Sequence, residues 1–278
     1  MGNLIGLIVP LEGGGFEWPS WDVNFPAEPP GVESFASRPL FPGVAGLDWL
    51  DNSVAQAFLA LLLALAFWLI VARKHRVVPG KRQFAGEYLY GMLRNGVARD
   101  ILGPEFRRFL PYLIAVFTFI LVNNWFGEFF VFMFPTFSRV GYAYALAAMT
   151  WIVYNAVGIA KHGPLGYLKK ATLPAGVPAF LWVLIIPLEF LSNIIVRPVT
   201  LALRLFANMF SGHLIVLVFV LGGSYLLQLG IPYAFAGGAS LLLSLVILGL
   251  EVFIGALQAY IFTVLTAQYI ASAVAEEH

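Results

Sequence analysis

Five runs of this chain stay apolar for longer than soluble helices do, and that limits the folds open to it. SVAQAFLALLLALAFWLIVA (53–72), FLPYLIAVFTFILVNNWFGEFFVFMF (109–134) and GYAYALAAMTWIVYNAVGIA (141–160) are each close to one bilayer crossing. Twenty helical residues at about 1.5 Å each match a hydrocarbon core of about 30 Å. Two further runs, Phe180 to Leu221 and Tyr233 to Ala273, are twice as long; the 42 residues of the first would span about 63 Å as one helix. Tilt absorbs a moderate mismatch, but a factor of two demands steep tilting, a break, or an end outside the lipid. Pro187 and Pro198 are the expected bending points of the first run. The uncharged GGSYLLQLGIP makes the pair a hairpin. With 60% of 278 residues hydrophobic and 11% charged, the chain reads as an all-α polytopic membrane protein. Five helices are membrane-embedded, and the last two form a long tilted hairpin at about 174–275.

Charge sets the expected orientation. Residues 1–51 hold seven prolines and seven carboxylates against one base, Arg38. This predicts an extended segment on the non-cytoplasmic side, leaving 52–278 as the membrane domain. Nine Lys and Arg fall in 73–108, and Lys161, Lys169 and Lys170 lie in the loop KHGPLGYLKK. The positive-inside rule makes both segments cytoplasmic. The N-terminus is then outside, and the C-terminus at AEEH is cytoplasmic. PTFSR, with the single base Arg139, reads as an outer turn. QFAGEYLYGMLRNGVARDILG (83–103) is too polar to span. It reads as one amphipathic helix on the cytoplasmic surface, or as a solvated linker helix.

Several chemistries drop out. The chain has no cysteine and four histidines without metal-ligand spacing, so no metal site is expected. VPGKRQ lacks the remaining residues of a nucleotide-binding glycine loop. No cofactor and no nucleic-acid partner are expected, and the start matches neither a signal peptide nor a myristoylation site.

What remains is a set of polar groups inside the hairpin. Arg197, Arg204, Asn208 and His213 lie in its first helix, Glu251 and Gln258 in its second. On an ideal helix Arg204 and Asn208 share a face, whereas His213 lies on the opposite face about 13.5 Å further along. The hairpin thus offers two polar regions, one near Arg204 and one around His213. Asn208 and Gln258 are either interhelical hydrogen-bond glue or part of a polar path. His213 and Glu251 are either a packing ion pair or titrating carriers. Arg197, before Pro198, reads as an interfacial anchor, and Glu189 is open to either role. An arginine at mid-membrane costs about 2.5–3.5 kcal/mol on insertion scales, and a guanidinium does not deprotonate in proteins. Arg204 therefore cannot carry protons. It can attract a carboxylate and block the direct passage of cations, while an imidazole and a carboxylate do the carrying.

RLFANMFSGHL followed by EVFIGALQAYIFTVLTAQYI closely resembles subunit a of the rotary F-type ATP synthase. The matching motifs are Arg204-Leu-Phe-Ala-Asn208 and Leu257-Gln258-Ala-Tyr-Ile-Phe262. Val78-Pro79-Gly80 with Gln83 and Glu87, Asn124-Trp-Phe-Gly127, Pro135-Thr136 and Gly163-Pro-Leu-Gly-Tyr-Leu168 add to them in the family's order. The resemblance covers roughly 50–275. It implies a non-catalytic stator subunit of the Fo motor in the bacterial plasma membrane, with a c-subunit ring, the b subunit of the stator stalk, membrane lipid and, indirectly, the F1 sector as partners. Arg204 would be the ion gate facing the ring carboxylate. Asn208, His213, Glu251 and Gln258 would belong to an aqueous half-channel from outside, and Glu189 to the cytoplasmic one. Protons would cross only by riding the ring, and the flow would drive rotation and ATP synthesis. Two departures stand out. Ala207 replaces a common glycine, and Gly127 stands where some members have a carboxylate, so no ion role is carried over there. The competing readings are a secondary transporter with a polar site at mid-membrane, whose usual internal repeats are not visible here, and a structural membrane scaffold.

Overall fold

A computed structural model describes residues 50–73, 77–128, 135–173 and 179–275. Nearly all of the acidic N-terminal segment, the bases Lys74 to Arg76 and the end of the 109–134 run lie outside the described residues. The described chain is built from helices, and five helical stretches within it are long and apolar enough to cross a membrane: Asn52–Ala72, Lys81–Glu128, Val140–His162, Trp182–Gln228 and Ile231–Val274.

Helix α1 (Asn52–Ala72) starts where the Asp51 carboxylate accepts the Val54 N–H at 2.8 Å, capping one of the orphan donors of the first turn. Its small and polar face, Ser53, Gln56, Ala60 and Ala64, is buried, as membrane helix contacts favour. The expected surface helix is α2 (Lys81–Leu93), prolonged by a π-helical turn at Arg94–Arg99. After Gly103-Pro104 the chain enters α3 (Phe106–Glu128). The Trp68 indole donates to Thr118 Oγ1 at 3.0 Å and ties α1 to α3. Then follow α4 (Val140–His162), α5 (Pro164–Thr172), α6 (Trp182–Phe190), α7 (Arg197–Gln228) and α8 (Ile231–Val274). Helices α7 and α8 form the hairpin, and α3 and α4 pack against it. Leu113 and Ile120 of α3, Leu201 and Leu205 of α7, and Phe262 and Ile270 of α8 are fully buried between them. At 44 residues, α8 would reach about 66 Å, so it crosses a bilayer only with steep tilt or with an end outside the lipid.

Two expectations need correction. KHGPLGYLKK is not a plain loop, because Gly163 takes φ +73° and Pro164 then opens α5 at its first position, where a missing N–H costs nothing. The hairpin connection is also far shorter than GGSYLLQLGIP. The helix runs on to Gln228, and Gly230, at φ +103°, makes the turn.

The bend expected at the prolines is a π-helical turn, Leu191–Val196, joining α6 to α7. Pro198 lacks the N–H that would bond Ile194 O in an α-helix or Asn193 O in a π-helix. Both carbonyls are served from α4 instead: Trp151 Nε1 donates to Ile194 O at 3.0 Å, and Tyr154 OH donates to Asn193 O at 3.2 Å.

Candidate functional site

Helix α7 has two unlike faces. Thr200, Leu203, Arg204, Ala207, Ser211, Ile215 and Val218 are exposed and recur every three or four residues, so they form one stripe. Arg204 is its single charge. Among the described residues no hydrogen bond or ion pair reaches the Arg204 guanidinium. The opposite face buries Leu201, Ala202, Leu205, Met209 and His213. As the spacing predicts, Arg204 and His213 point to different sides of the helix.

The buried face meets a polar cluster from three helices. Asn124 Nδ2 donates to Gly255 O at 2.9 Å, and Trp125 Nε1 donates to Val252 O at 3.1 Å. These two bonds staple the C-terminal end of α3 to α8 and bring Glu128, one turn on, to the hairpin. Glu128 Oε1 lies 3.9 Å from His213 Nδ1, and both residues are buried. Glu251, also buried, reaches the same point from α8. Its carboxylate rests on Gly212, where a Cβ would fall 1.9 Å from Oε2.

Hairpin register places the remaining groups. Gly212 faces Glu251, so Gln258, seven residues along α8, is level with Leu205, seven residues back along α7. Gln258 therefore sits at the height of Arg204 but on the buried side. Its Nε2, Asn208 Nδ2, the side-chain oxygens of Asn123 and Asn124, and both carboxylate oxygens of Glu128 are buried without a hydrogen-bond partner among the described residues. Buried polar groups of this kind normally bond ordered water.

The other end of the hairpin is a separate polar belt. Glu189 Oε2 accepts from Asn193 Nδ2 at 3.0 Å, and the same amide donates to Ala171 O at 2.6 Å. Glu189 precedes Arg204 by fifteen residues, about 22 Å of helix. Arg197 lies over the Tyr269 ring at 5.2 Å and donates to Ser272 Oγ at 3.2 Å, binding the start of α7 to the end of α8. Burial pushes the Tyr167 phenol of α5 up, against an opposing pull from the Arg197 charge. Arg197 is thus engaged within the protein, and Arg204 is not.

Glu128 is the residue that sequence reasoning missed. Its signal was available, a carboxylate in the apolar NNWFGEFF, but it lies outside the hairpin to which the candidate polar set was confined. Only the staples from α3 to α8 reveal that it faces inward.

Known proteins resemble this chain along most of its length. The family model described as ATP synthase A chain matches residues 54–271. A Nocardioides protein named ATP synthase subunit a is 47% identical over 269 residues, covering 96% of this chain and 96% of that one. The protein of the same name from Pseudarthrobacter chlorophenolicus is 42% identical over 255 residues, covering 90% of this chain and 94% of its own. That of Streptomyces lividans is 35% identical over 257 residues, with 92% and 90% covered.

Proposed function

The chain belongs to the ATP synthase A chain family, and on that premise we propose that it is the Fo stator subunit that carries protons to and from a rotating c-subunit ring. The observation that carries this reading is Arg204, a permanent charge on an exposed face that is otherwise apolar or small. In lipid such a charge is costly, so a partner must cover that face and supply an anion. A ring of helices presenting one buried carboxylate at a time meets both needs.

Protons enter from outside along the cluster of His213, Glu251 and Gln258, on the face of α7 that Arg204 does not occupy, and pass Asn208, one turn from Arg204 on its own face. They leave toward the cytoplasm past Glu189. Arg204 stands between the two paths and displaces the proton from each arriving carboxylate. Because a guanidinium holds its charge, it also repels protons that would pass straight from one path to the other. The unbonded polar atoms of Asn123, Asn124, Asn208 and Gln258 support a hydrated outer path. The b subunit holds the chain against the F1 sector, and the basic segments after α1 and α4 support a cytoplasmic location for those ends in a bacterium, with residues 1–51 outside.

Arg204→Ala tests the reading. In inverted vesicles carrying the assembled complex, ATP-driven proton pumping is expected to vanish, and vesicles stripped of F1 should show a passive leak. Pumping at the normal rate in this variant would sink the assignment.

A further inference from the structure

We infer that Glu128 is the outermost proton-relay group of the outer path, so that the relay is a carboxylate, an imidazole and a second carboxylate drawn from three helices. This rests on the function proposed above. Glu128 is 5% exposed, and neither of its oxygens has a hydrogen-bond partner among the described residues. A buried carboxylate left bare is far costlier than one that bonds water or shares a proton. His213 Nδ1 lies 3.9 Å away, too far for a direct hydrogen bond, so transfer between them runs through a small side-chain rotation or a shared water. Glu251 completes the sequence from α8, against Gly212.

Among the described residues, the other elements packed near Glu128 hold no competing free charge. The short helical turn at Thr136–Ser138 carries no titratable side chain. At the outer end of α1, Asp51 is taken up by Arg139 of the outer turn and by the Tyr142 hydroxyl of α4. The Trp68 to Thr118 bond sets the antiparallel register of α1 and α3. Gln56, twelve residues back along α1, is therefore level with the end of α3, and its buried Nε2 has no hydrogen-bond partner among the described residues. Gln56 thus adds a buried polar group at the end of α1 from which Glu128 would be reprotonated.

In the step itself, protonated Glu128 gives its proton to His213, which becomes an imidazolium. The imidazolium passes a proton to the Glu251 carboxylate and is neutral again. Glu128 is reprotonated from the outer water. Nothing is consumed, and one proton moves inward.

Proteoliposomes holding right-side-out Fo without F1 test this through passive flux driven by a potential, measured against outer pH. With Glu128→Gln, flux should fall about tenfold at alkaline outer pH, below the full contribution typical of a proton-transfer group. At acidic outer pH, where protons are abundant, the loss should shrink to less than about twofold. Glu128→Asp should restore most of the alkaline flux. Wild-type flux at every pH in the Gln variant would overturn the inference, as would an equal loss at every pH in both variants, which marks a packing role. Arg204→Ala, assayed for ATP-driven pumping in inverted vesicles that carry the complete complex, separates the two claims. If ATP-driven pumping survives that change the hairpin reading itself fails, whereas a normal Gln variant beside an inactive Arg204→Ala removes only Glu128.

Discussion

At the scale of single residues, the outer cluster depends on one absent side chain. Gly212 leaves the room that the Glu251 carboxylate fills, since a Cβ there would lie 1.9 Å from Oε2. The atom displaced is the far end of a flexible side chain, so Gly212→Ala should leave folding and assembly intact while moving the carboxylate away from His213. The expected outcome is proton flux slowed about tenfold or more, the scale of a misplaced proton-transfer group, at normal complex levels in the membrane; unchanged flux would mean that the position of Glu251 does not limit transfer. Arg204, His213 and Glu251 were legible in the sequence because each is an ionisable group inside a long apolar run. That Arg204 and His213 lie on different faces of α7 was legible too, from helical geometry alone. Glu128 and Gly212 were not, because their significance lies in what three helices bring to one point.

At the scale of elements, the joint between α6 and α7 makes a specific claim about why the protein tolerates its bend. Pro198 removes one donor, and Trp151 and Tyr154 replace it at two carbonyls. Trp151→Phe should destabilise the protein by about 1–2 kcal/mol by stranding Ile194 O. Pro198→Ala restores a backbone donor, so the Trp151→Phe penalty should be smaller in that background. A double-mutant cycle on the thermal midpoint of the solubilised complex measures the difference, and additivity would show that the two features are unrelated. The sequence marked the prolines but not the π-turn, which depends on donors from α4. It also contained the start of α5, a glycine followed by proline, yet a run of lysines read more readily as a loop. The first hairpin helix was read seven residues too short, stopping before Gly222 and Gly223, where packing between α7 and α8 overrides their weak helix propensity.

At the scale of the whole molecule, α1 stands at the margin, held to the rest by few polar contacts. Asp51 does three things there: it caps α1, pairs with Arg139 at 2.5 Å and accepts from Tyr142 at 3.3 Å. Asn serves as a cap nearly as well as Asp but has no charge for Arg139. Asp51→Asn should therefore lower the thermal midpoint of the solubilised complex, and Asp51→Ala should lower it further, by the roughly 1 kcal/mol that a cap contributes. Equal effects would mean that the cap adds nothing. Membrane class, number of crossings and the hairpin were legible from run lengths, because each reflects bilayer thickness. How α1 is fastened was not, because its partners lie about ninety residues away in the sequence.

The exposed guanidinium of Arg204 has a consequence for biogenesis as well as for transport. Before it meets its partner, the newly inserted chain presents an unneutralised charge to hydrocarbon, at about 2.5–3.5 kcal/mol on insertion scales. Differences of that size change the steady-state abundance of a protein under cellular quality control. The residue proposed to keep protons from slipping through the finished motor therefore also marks every unfinished one, and subunits that never find a ring are the ones a membrane protease should remove first.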